Sequence, residues 1–160
     1  MKPGIATLNE TRLVGKKTTM SFADNKTADL WRSFAPRKKE IKKPVGSNLY
    51  SVDIYNDAKF FIDFDPNREF EKWAAIEVED FDAIPDGMEK LVIPKGQYAV
   101  FTYQGKPSEA QGVFHYIYNV WIPGSEYEMD GRPYFALMGE KYKGEDPTSE
   151  EEFWIPIRKK

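Results

Sequence analysis

The sequence contains no cysteine, which excludes disulfide bonds, thiolate catalysis and cysteine-ligated zinc. It also contains a single histidine, His115. No serine or cysteine stands near it in a motif context, so it is a poor candidate for general-base catalysis. One histidine with scattered carboxylates does not indicate a metal centre either. We therefore expect no metal ion, no cofactor and no catalytic residue.

Long apolar runs are also missing. No segment approaches the roughly 20 apolar residues that a membrane-spanning helix requires. The first residues, Met1 to Ile5, hold no apolar stretch of signal-peptide length. The sequence therefore predicts a cytoplasmic protein without a membrane partner.

An excess of positive charge is absent as well, because the formal net charge is −3. Basic clusters at residues 37–43 and 158–160 are offset by acidic runs such as Glu150 to Glu152. Such runs are typical of a solvated surface, whereas a nucleic-acid interface needs a clearly basic face. We expect no direct binding to nucleic acid.

Aromatic residues, by contrast, are abundant, at 15% of 160 residues. The length and the otherwise ordinary composition predict one globular domain over residues 1–160. Aromatic side chains fill cores and also line ligand pockets. This chain has more of them than a core of its size readily hides, so we expect some to face a cleft.

Hydrophobic spacing predicts two main helices and several strands. The first helix opens near Thr27, and the second opens at a capping box, Ser108 to Gln111, and ends at Pro123. Strands are predicted at residues 12–22, 49–55, 71–78, 91–104 with a turn inside, 133–138 and 152–157.

The chain divides into two similar halves, approximately 8–80 and 88–158, each with the order strand, helix, strand, strand. Each helix carries a tryptophan, Trp31 or Trp121, and each final strand carries another after an acidic run, Trp73 or Trp154. We predict a duplicated βαββ unit in which these tryptophans are equivalent in pairs. The seam between the halves is then a natural concave site, and no segment is left for a helix-turn-helix.

Several stretches resemble the GyrI-like family, the effector-binding domains of AraC-type bacterial transcription activators. They are Leu91–Phe101, Tyr118–Ser125, Arg132–Ala136 and Phe153–Ile157, with Leu30–Trp31, Leu49–Tyr55 and Lys72–Val78 in the first half. The resemblance implies an α+β fold of two βαββ units with pseudo-twofold symmetry, a curved antiparallel sheet, two main helices and a central cleft. The family includes ligand-sensing domains, stand-alone proteins linked to gyrase protection and some hydrolases of cyclopropane-bearing toxins.

The sequence departs from the family where a buried glutamate often meets cationic aromatic drugs, because Phe135 is followed there by Ala136. Glu140 shares a face with Ala136 and Met138 by strand alternation, and it replaces the missing carboxylate only if the strand extends that far. An apolar residue at this position predicts a preference for neutral aromatic or apolar ligands over cations of the same shape. A second carboxylate in the cleft would remove that expectation.

The resulting functional hypothesis is a small-molecule binding domain, a ligand sensor or sequestering protein. The predicted ligand-binding residues are Trp31, Tyr50, Trp73, Tyr98, Trp121, Phe135, Ala136, Met138, Glu140 and Trp154.

Two alternatives stay open. One is a hydrolase of reactive electrophiles, with Glu140 or Glu77 as acid or base and Tyr50 or Tyr98 in support. The other is a regulatory protein that binds a protein partner, such as gyrase or a transcription regulator, through the acidic residues 145–152.

Because neither a thiol nor a ligand cluster is predicted, chelators and reductants are expected to leave the melting temperature unchanged. Differential scanning fluorimetry with and without a chelator checks this. A fall of several degrees would reveal a metal site.

Overall fold

The computed structural model describes residues 2–55 and 57–160. The first part of the chain forms β1 (Gly4–Leu8), β2 (Thr11–Met20), α1 (Thr27–Phe34) with a following 3-10 turn (Ala35–Glu40), β3 (Pro44–Ile54) and β4 (Phe70–Val78). The second part forms β5 (Glu89–Ile93), β6 (Gly96–Gln104), a helical segment, β7 (Tyr127–Met129), β8 (Tyr134–Met138) and β9 (Glu150–Lys159). The helical segment consists of a 3-10 turn (Pro107–Glu109), α2 (Gln111–Tyr116), a π-helical turn (Ile117–Trp121) and α3 (Ile122–Gly124).

The strands form one antiparallel sheet in the order β1-β6-β9-β8-β3-β4-β2-β5, with β7 paired to the end of β9. The two halves therefore meet where β3 pairs with β8. The class is α+β, as the sequence predicts.

Strand register relates the halves by a local twofold axis. Val52 of β3 pairs with Phe135 of β8. Val52 also pairs with Trp73, and Phe135 pairs with Trp154. The equivalence of Trp73 and Trp154 is confirmed. The indole N–H of each tryptophan also donates to the glutamate two residues before it, Glu71 at 2.5 Å and Glu152 at 3.1 Å.

The predicted equivalence of Trp31 with Trp121 is wrong. The twofold axis relates Val52 to Phe135 and Lys17 to Val100, and in both pairs the residue numbers differ by 83. The same difference makes Phe114 the counterpart of Trp31. The second helical segment is longer and contains a π-helical turn, so Trp121 lies two turns further along. Sequence similarity between the helices was misleading because each contains a tryptophan on its apolar face.

The terminal strands of the sheet are exchanged between the halves. β1 precedes β2 in the chain but pairs with β6, and β5 precedes β6 but pairs with β2. The sequence patterns missed β1 and β7. The predicted capping box is also absent, because the backbone N–H and the hydroxyl of Ser108 both donate to Glu145.

The two faces of the sheet are covered differently. One face holds an apolar cluster that includes Leu13, Val52, Trp73, Tyr98 and Phe135. The helices pack against the other face, α1 on β2 and β4 in the first half and the second helical segment on β6 and β9 in the second. Because side chains alternate along each strand, every strand contributes one set of residues to each face.

Gly15 marks the tightest approach in the sheet. A Cβ atom there would overlap the carbonyl oxygen of Ala74 and lie 2.6 Å from Cα of Ala75. Both are backbone atoms, which cannot move aside. We expect Gly15→Ala to destabilise the fold by about 2 kcal/mol or more, measured as the free energy of unfolding in urea.

Gly112 in α2 is the matched control, because nothing lies within 4 Å of a Cβ atom added there. Gly112→Ala should be neutral or stabilising by about 0.5–1 kcal/mol, since alanine favours a helix. Equal unfolding midpoints for the two variants would contradict the close-approach argument.

Candidate functional site

A cavity of about 820 Å³ lies over the seam between the two halves. Its floor is formed by β3, β8, β4 and β9, and its walls come from α1 and α2. The volume lies in the range of drug-sized ligand sites. The sheet face opposite the cavity holds a packed apolar cluster, whereas the cavity lies on the helical side.

The cleft is lined mainly by aromatic rings from both halves. Phe61 stacks on Tyr118 with ring centroids 4.2 Å apart, and Tyr55 meets Tyr134 edge to face at 4.9 Å. Phe61 and Phe64 belong to the loop between β3 and β4; Phe61 contacts Tyr118 of the second helical segment, and Phe64 stacks against Phe61. The lining aromatic residues are Phe22, Trp31, Tyr55, Phe61, Phe64, Phe70, Phe114, Tyr118, Tyr134, Tyr142 and Phe153, with further contributions at Phe135 and Trp154.

Five of the predicted ligand-binding residues border the cavity: Trp31, Phe135, Ala136, Met138 and Trp154. Ala136 and Met138 share the cleft face of β8. Phe135 and Trp154 alternate to the opposite face, where their rings stack at 5.2 Å. Their strands form part of the floor of the cleft, while their rings pack on the other side of the sheet.

The other five predicted residues lie outside the cavity lining. Tyr50, Trp73 and Tyr98 belong to the packed cluster on the opposite face. Trp121 packs edge to face against Phe101. Strand alternation and helix packing direct these side chains into packed apolar clusters rather than into the cleft.

Glu140 does not replace the missing carboxylate. β8 ends at Met138, and Glu140 is an exposed residue of the following turn. Strand alternation therefore does not apply to it. Glu77, the other carboxylate that the sequence suggests for a hydrolase, also lies outside the cleft. It accepts a 3.3 Å hydrogen bond from Tyr50 on the opposite face of the sheet.

Two charged residues that the sequence interpretation passed over lie in the floor of the cleft. Asp53 of β3 and Lys72 of β4 are direct cross-strand partners. The ammonium nitrogen Nζ of Lys72 lies 2.8 Å from Oδ1 of Asp53, and the two side chains are 12% and 24% exposed. The approach is an ion pair without the angle of an aligned hydrogen bond, since Oδ1 has no hydrogen-bond partner among the described residues.

Glu151 of β9 supplies a second carboxylate to the cleft. The residue is 8% exposed, and its Oε2 has no hydrogen-bond partner among the described residues. Burial raises the pKa of Glu151 to about 7; the nearby charge of Lys72 partly opposes that rise, and the charge of Glu145 adds to it. Since Ala136 pairs with Phe153 across β8 and β9, Glu151 lies two residues from the position directly opposite Ala136.

Three tyrosines, Tyr55, Tyr118 and Tyr134, also line the cleft. Burial raises the pKa of both Tyr55 and Tyr118 well above the ordinary value, and the charge of Asp53 raises both further. Burial likewise raises the pKa of Tyr134. All three therefore remain neutral at physiological pH and keep a hydroxyl that can donate or accept a hydrogen bond.

The sequence contains a pattern that predicts the cleft-facing orientation of Glu151. Strand alternation through 150–157 places Glu151, Phe153 and Ile155 on one face and Glu152 and Trp154 on the other. The sequence interpretation treated the acidic run as surface instead. The structure divides that run, because Glu151 faces the cleft whereas Glu145 bonds to Ser108. Glu151 is therefore not part of an exposed acidic surface.

Within residues 2–55 and 57–160, no group of three or more histidine, aspartate or glutamate side chains is placed to hold a metal ion. In the same part of the chain, no helix has the length and apolar character needed to cross a membrane.

Comparison with solved structures identifies the fold. The structure of SAV2435 bound to tetraphenylphosphonium matches with a TM-score of 0.75 at 17% identity, covering 99% of this chain and 94% of that one. The cryo-EM structure of EcmrR in complex with DNA matches with a TM-score of 0.70 at 14% identity, covering 99% of this chain and 58% of that one.

Sequence comparison points in the same direction. The transcriptional regulator BrlR of Pseudomonas aeruginosa is 29% identical over 146 residues, which are 91% of this chain. The match covers 51% of BrlR, so this chain spans about half the length of that regulator. The family model for the GyrI-like small molecule binding domain matches residues 1–158. The chain belongs to the GyrI-like small molecule binding domain family.

Proposed function

We propose that the cleft binds lipophilic aromatic molecules that carry one positive charge. The observation that carries this proposal is Glu151, a buried carboxylate whose Oε2 is unpaired within an aromatic cleft. The expectation of a neutral ligand depended on the absence of a carboxylate beside Ala136. Glu151 on the neighbouring strand removes that premise.

Physical chemistry favours a cation at this position. An unpaired buried charge destabilises a protein by several kcal/mol, and a cationic ligand beside Glu151 relieves that cost. Aromatic rings attract a cation by about 0.5–2 kcal/mol each when the site is dry. A lipophilic body gains further from burial against the rings of Phe61, Tyr118 and Phe153.

We further propose that binding occurs without chemical conversion, and that the chain is a cytoplasmic ligand sensor or sequestering protein. The match to half of the regulator BrlR supports a link to transcription control. Such a link would require contact with a partner regulator, because a net charge of −3 does not favour direct binding to nucleic acid. A gyrase partner has less support, since the acidic residues 145–152 are divided between the cleft and the surface.

Glu151 also favours a second candidate function, hydrolysis of an electrophilic ligand. A carboxyl group whose pKa lies near 7 is suited to general acid–base catalysis at physiological pH. Release of product from an electrophilic aromatic ester or cyclopropane, abolished in Glu151→Gln, would favour this candidate over binding alone.

The first test compares tetraphenylphosphonium with neutral triphenylphosphine oxide by isothermal titration calorimetry. At about pH 8 we expect the wild type to bind the cation at least tenfold more tightly, a difference of about 1.4 kcal/mol. Lowering the pH to about 6 should weaken cation binding about tenfold, because Glu151 takes up a proton, and should leave the neutral compound unaffected.

Glu151→Gln should abolish both the preference and its pH dependence. Glu152→Gln is the matched control, because Glu152 alternates to the opposite face and bonds to Trp154; it should behave as wild type. Tighter binding of the neutral compound by the wild type at about pH 8 would overturn the proposal.

The second test concerns stability in the absence of ligand. The pKa of Glu151 rises from 4.5 to about 7 on folding, so the native state holds a proton that the unfolded state has released between these values. Stability from this group is present below the lower pKa and is lost as pH rises through the higher one.

Glu151→Gln removes this loss of folding stability with rising pH. We expect the variant to gain about 2 kcal/mol relative to wild type between about pH 5 and about pH 8, after allowance for solvent in the cleft. Urea unfolding at both pH values measures the gain. Parallel stability profiles for the two proteins would show that Glu151 titrates normally.

A further inference from the structure

The ion pair in the cleft occupies one of two places that the local twofold axis makes equivalent. Asp53 and Lys72 are cross-strand partners on β3 and β4. Their counterparts in the second half are Ala136 and Phe153, cross-strand partners on β8 and β9. The same position in the fold therefore holds an ion pair in one half and an apolar pair in the other.

Lys72 is the cation of this pair and is held inside the cleft. Its side chain is 12% exposed, and its Nζ lies 2.8 Å from Asp53. Its charge also acts on Glu151, whose pKa it lowers against the effect of burial. Lys72 therefore forms its ion pair with Asp53, and its charge also reaches Glu151.

The charges in the cleft add up to a single negative charge. The carboxylate and amine side chains that line the cleft in the described part of the chain are Asp53, Lys72 and Glu151. Lys72 compensates Asp53 and leaves Glu151 for a ligand. A second positive charge on a ligand would have to displace Lys72 from Asp53 or remain unpaired in a site of low dielectric, which is strongly unfavourable.

We propose that Lys72 is a built-in counter-cation that restricts the ligand of this cleft to one positive charge. The inference rests on the proposed function and names the charge class of its ligand. Lys72 is a specificity-determining residue in this sense. Without it, the cleft would contain two uncompensated carboxylates and would accept a dication.

The test uses two aromatic cations of similar shape, 1-benzyl-4-phenylpyridinium with one charge and 1,1′-dibenzyl-4,4′-bipyridinium with two. Isothermal titration calorimetry at about pH 8, where Glu151 is ionised, gives both affinities. We expect the wild type to bind the monocation at least about tenfold more tightly. Lys72→Met should shift the ratio toward the dication by at least about tenfold, because methionine keeps the length of the side chain and removes its charge.

Lys17→Met is the matched control for net charge. Lys17 lies outside the cleft lining, 3.4 Å from Glu89 and over the ring of Trp73. Its removal changes the total charge of the protein by the same amount and should leave the ratio at its wild-type value. Equal ratios in Lys72→Met and Lys17→Met would overturn the inference.

Lys72→Met leaves Asp53 without its ion-pair partner. Two further variants test the inference even if this variant does not fold. Asp53→Asn leaves Lys72 free to compensate Glu151, so monocation affinity should fall at least about tenfold. Lys72→Met combined with Asp53→Asn restores one net negative charge and should restore the wild-type ratio. Unchanged monocation affinity in Asp53→Asn, or a dication preference in the double variant, would contradict the proposed single net negative charge of the cleft.

The outcomes also separate this inference from the proposed function. A wild type that binds triphenylphosphine oxide more tightly than either pyridinium cation defeats the proposed function itself. A wild type that prefers the monocation, with a ratio unaffected by Lys72→Met, leaves the proposed function intact and defeats only the role of Lys72.

Discussion

The antiparallel pairing of β3 with β8 is the interaction on which the rest of the structure depends. It joins the halves into one sheet and places the local twofold axis between Val52 and Phe135. Because the helices of both halves pack on the same face of that sheet, they stand on either side of the seam and leave the cleft between them. A shift of one residue in this register would exchange the two faces of every cross-strand pair at the seam.

Period-two alternation then divides the aromatic residues into two groups with different tasks. Trp73, Tyr98 and Phe135 are buried in one apolar cluster on the face away from the helices. Tyr55, Phe61 and Tyr134 face the helices and surround the cavity. The high aromatic content of the chain thus serves packing on one face and recognition on the other.

The two halves share their strand register but differ in the charges of their cleft residues. Trp73 and Trp154 keep the same register and the same hydrogen bond to a glutamate two residues earlier. In the cleft the two halves have diverged, since Asp53 and Lys72 are matched by Ala136 and Phe153. The packed face tolerates little variation because interiors are close-packed, whereas the cleft face borders open space. Charges were therefore free to become asymmetric on the cleft face, at a stability cost that Glu151 illustrates.

The sequence by itself determined the family, the order of most elements and the equivalence of the tryptophans in β4 and β9. Local patterns carry this information, because alternation, helical spacing and turn residues act between neighbours in the chain. Even Glu151 was accessible to alternation, which separates it from Glu152. Tertiary structure alone decided which aromatic residues face the cleft, the exchange of β1 and β5, the end of β8 before Glu140, and the meeting of Lys72 with Asp53 and Glu151. These features depend on strand order and on the packing of helices against one face. Contacts between residues far apart in the sequence set both of them, and no local pattern records such contacts.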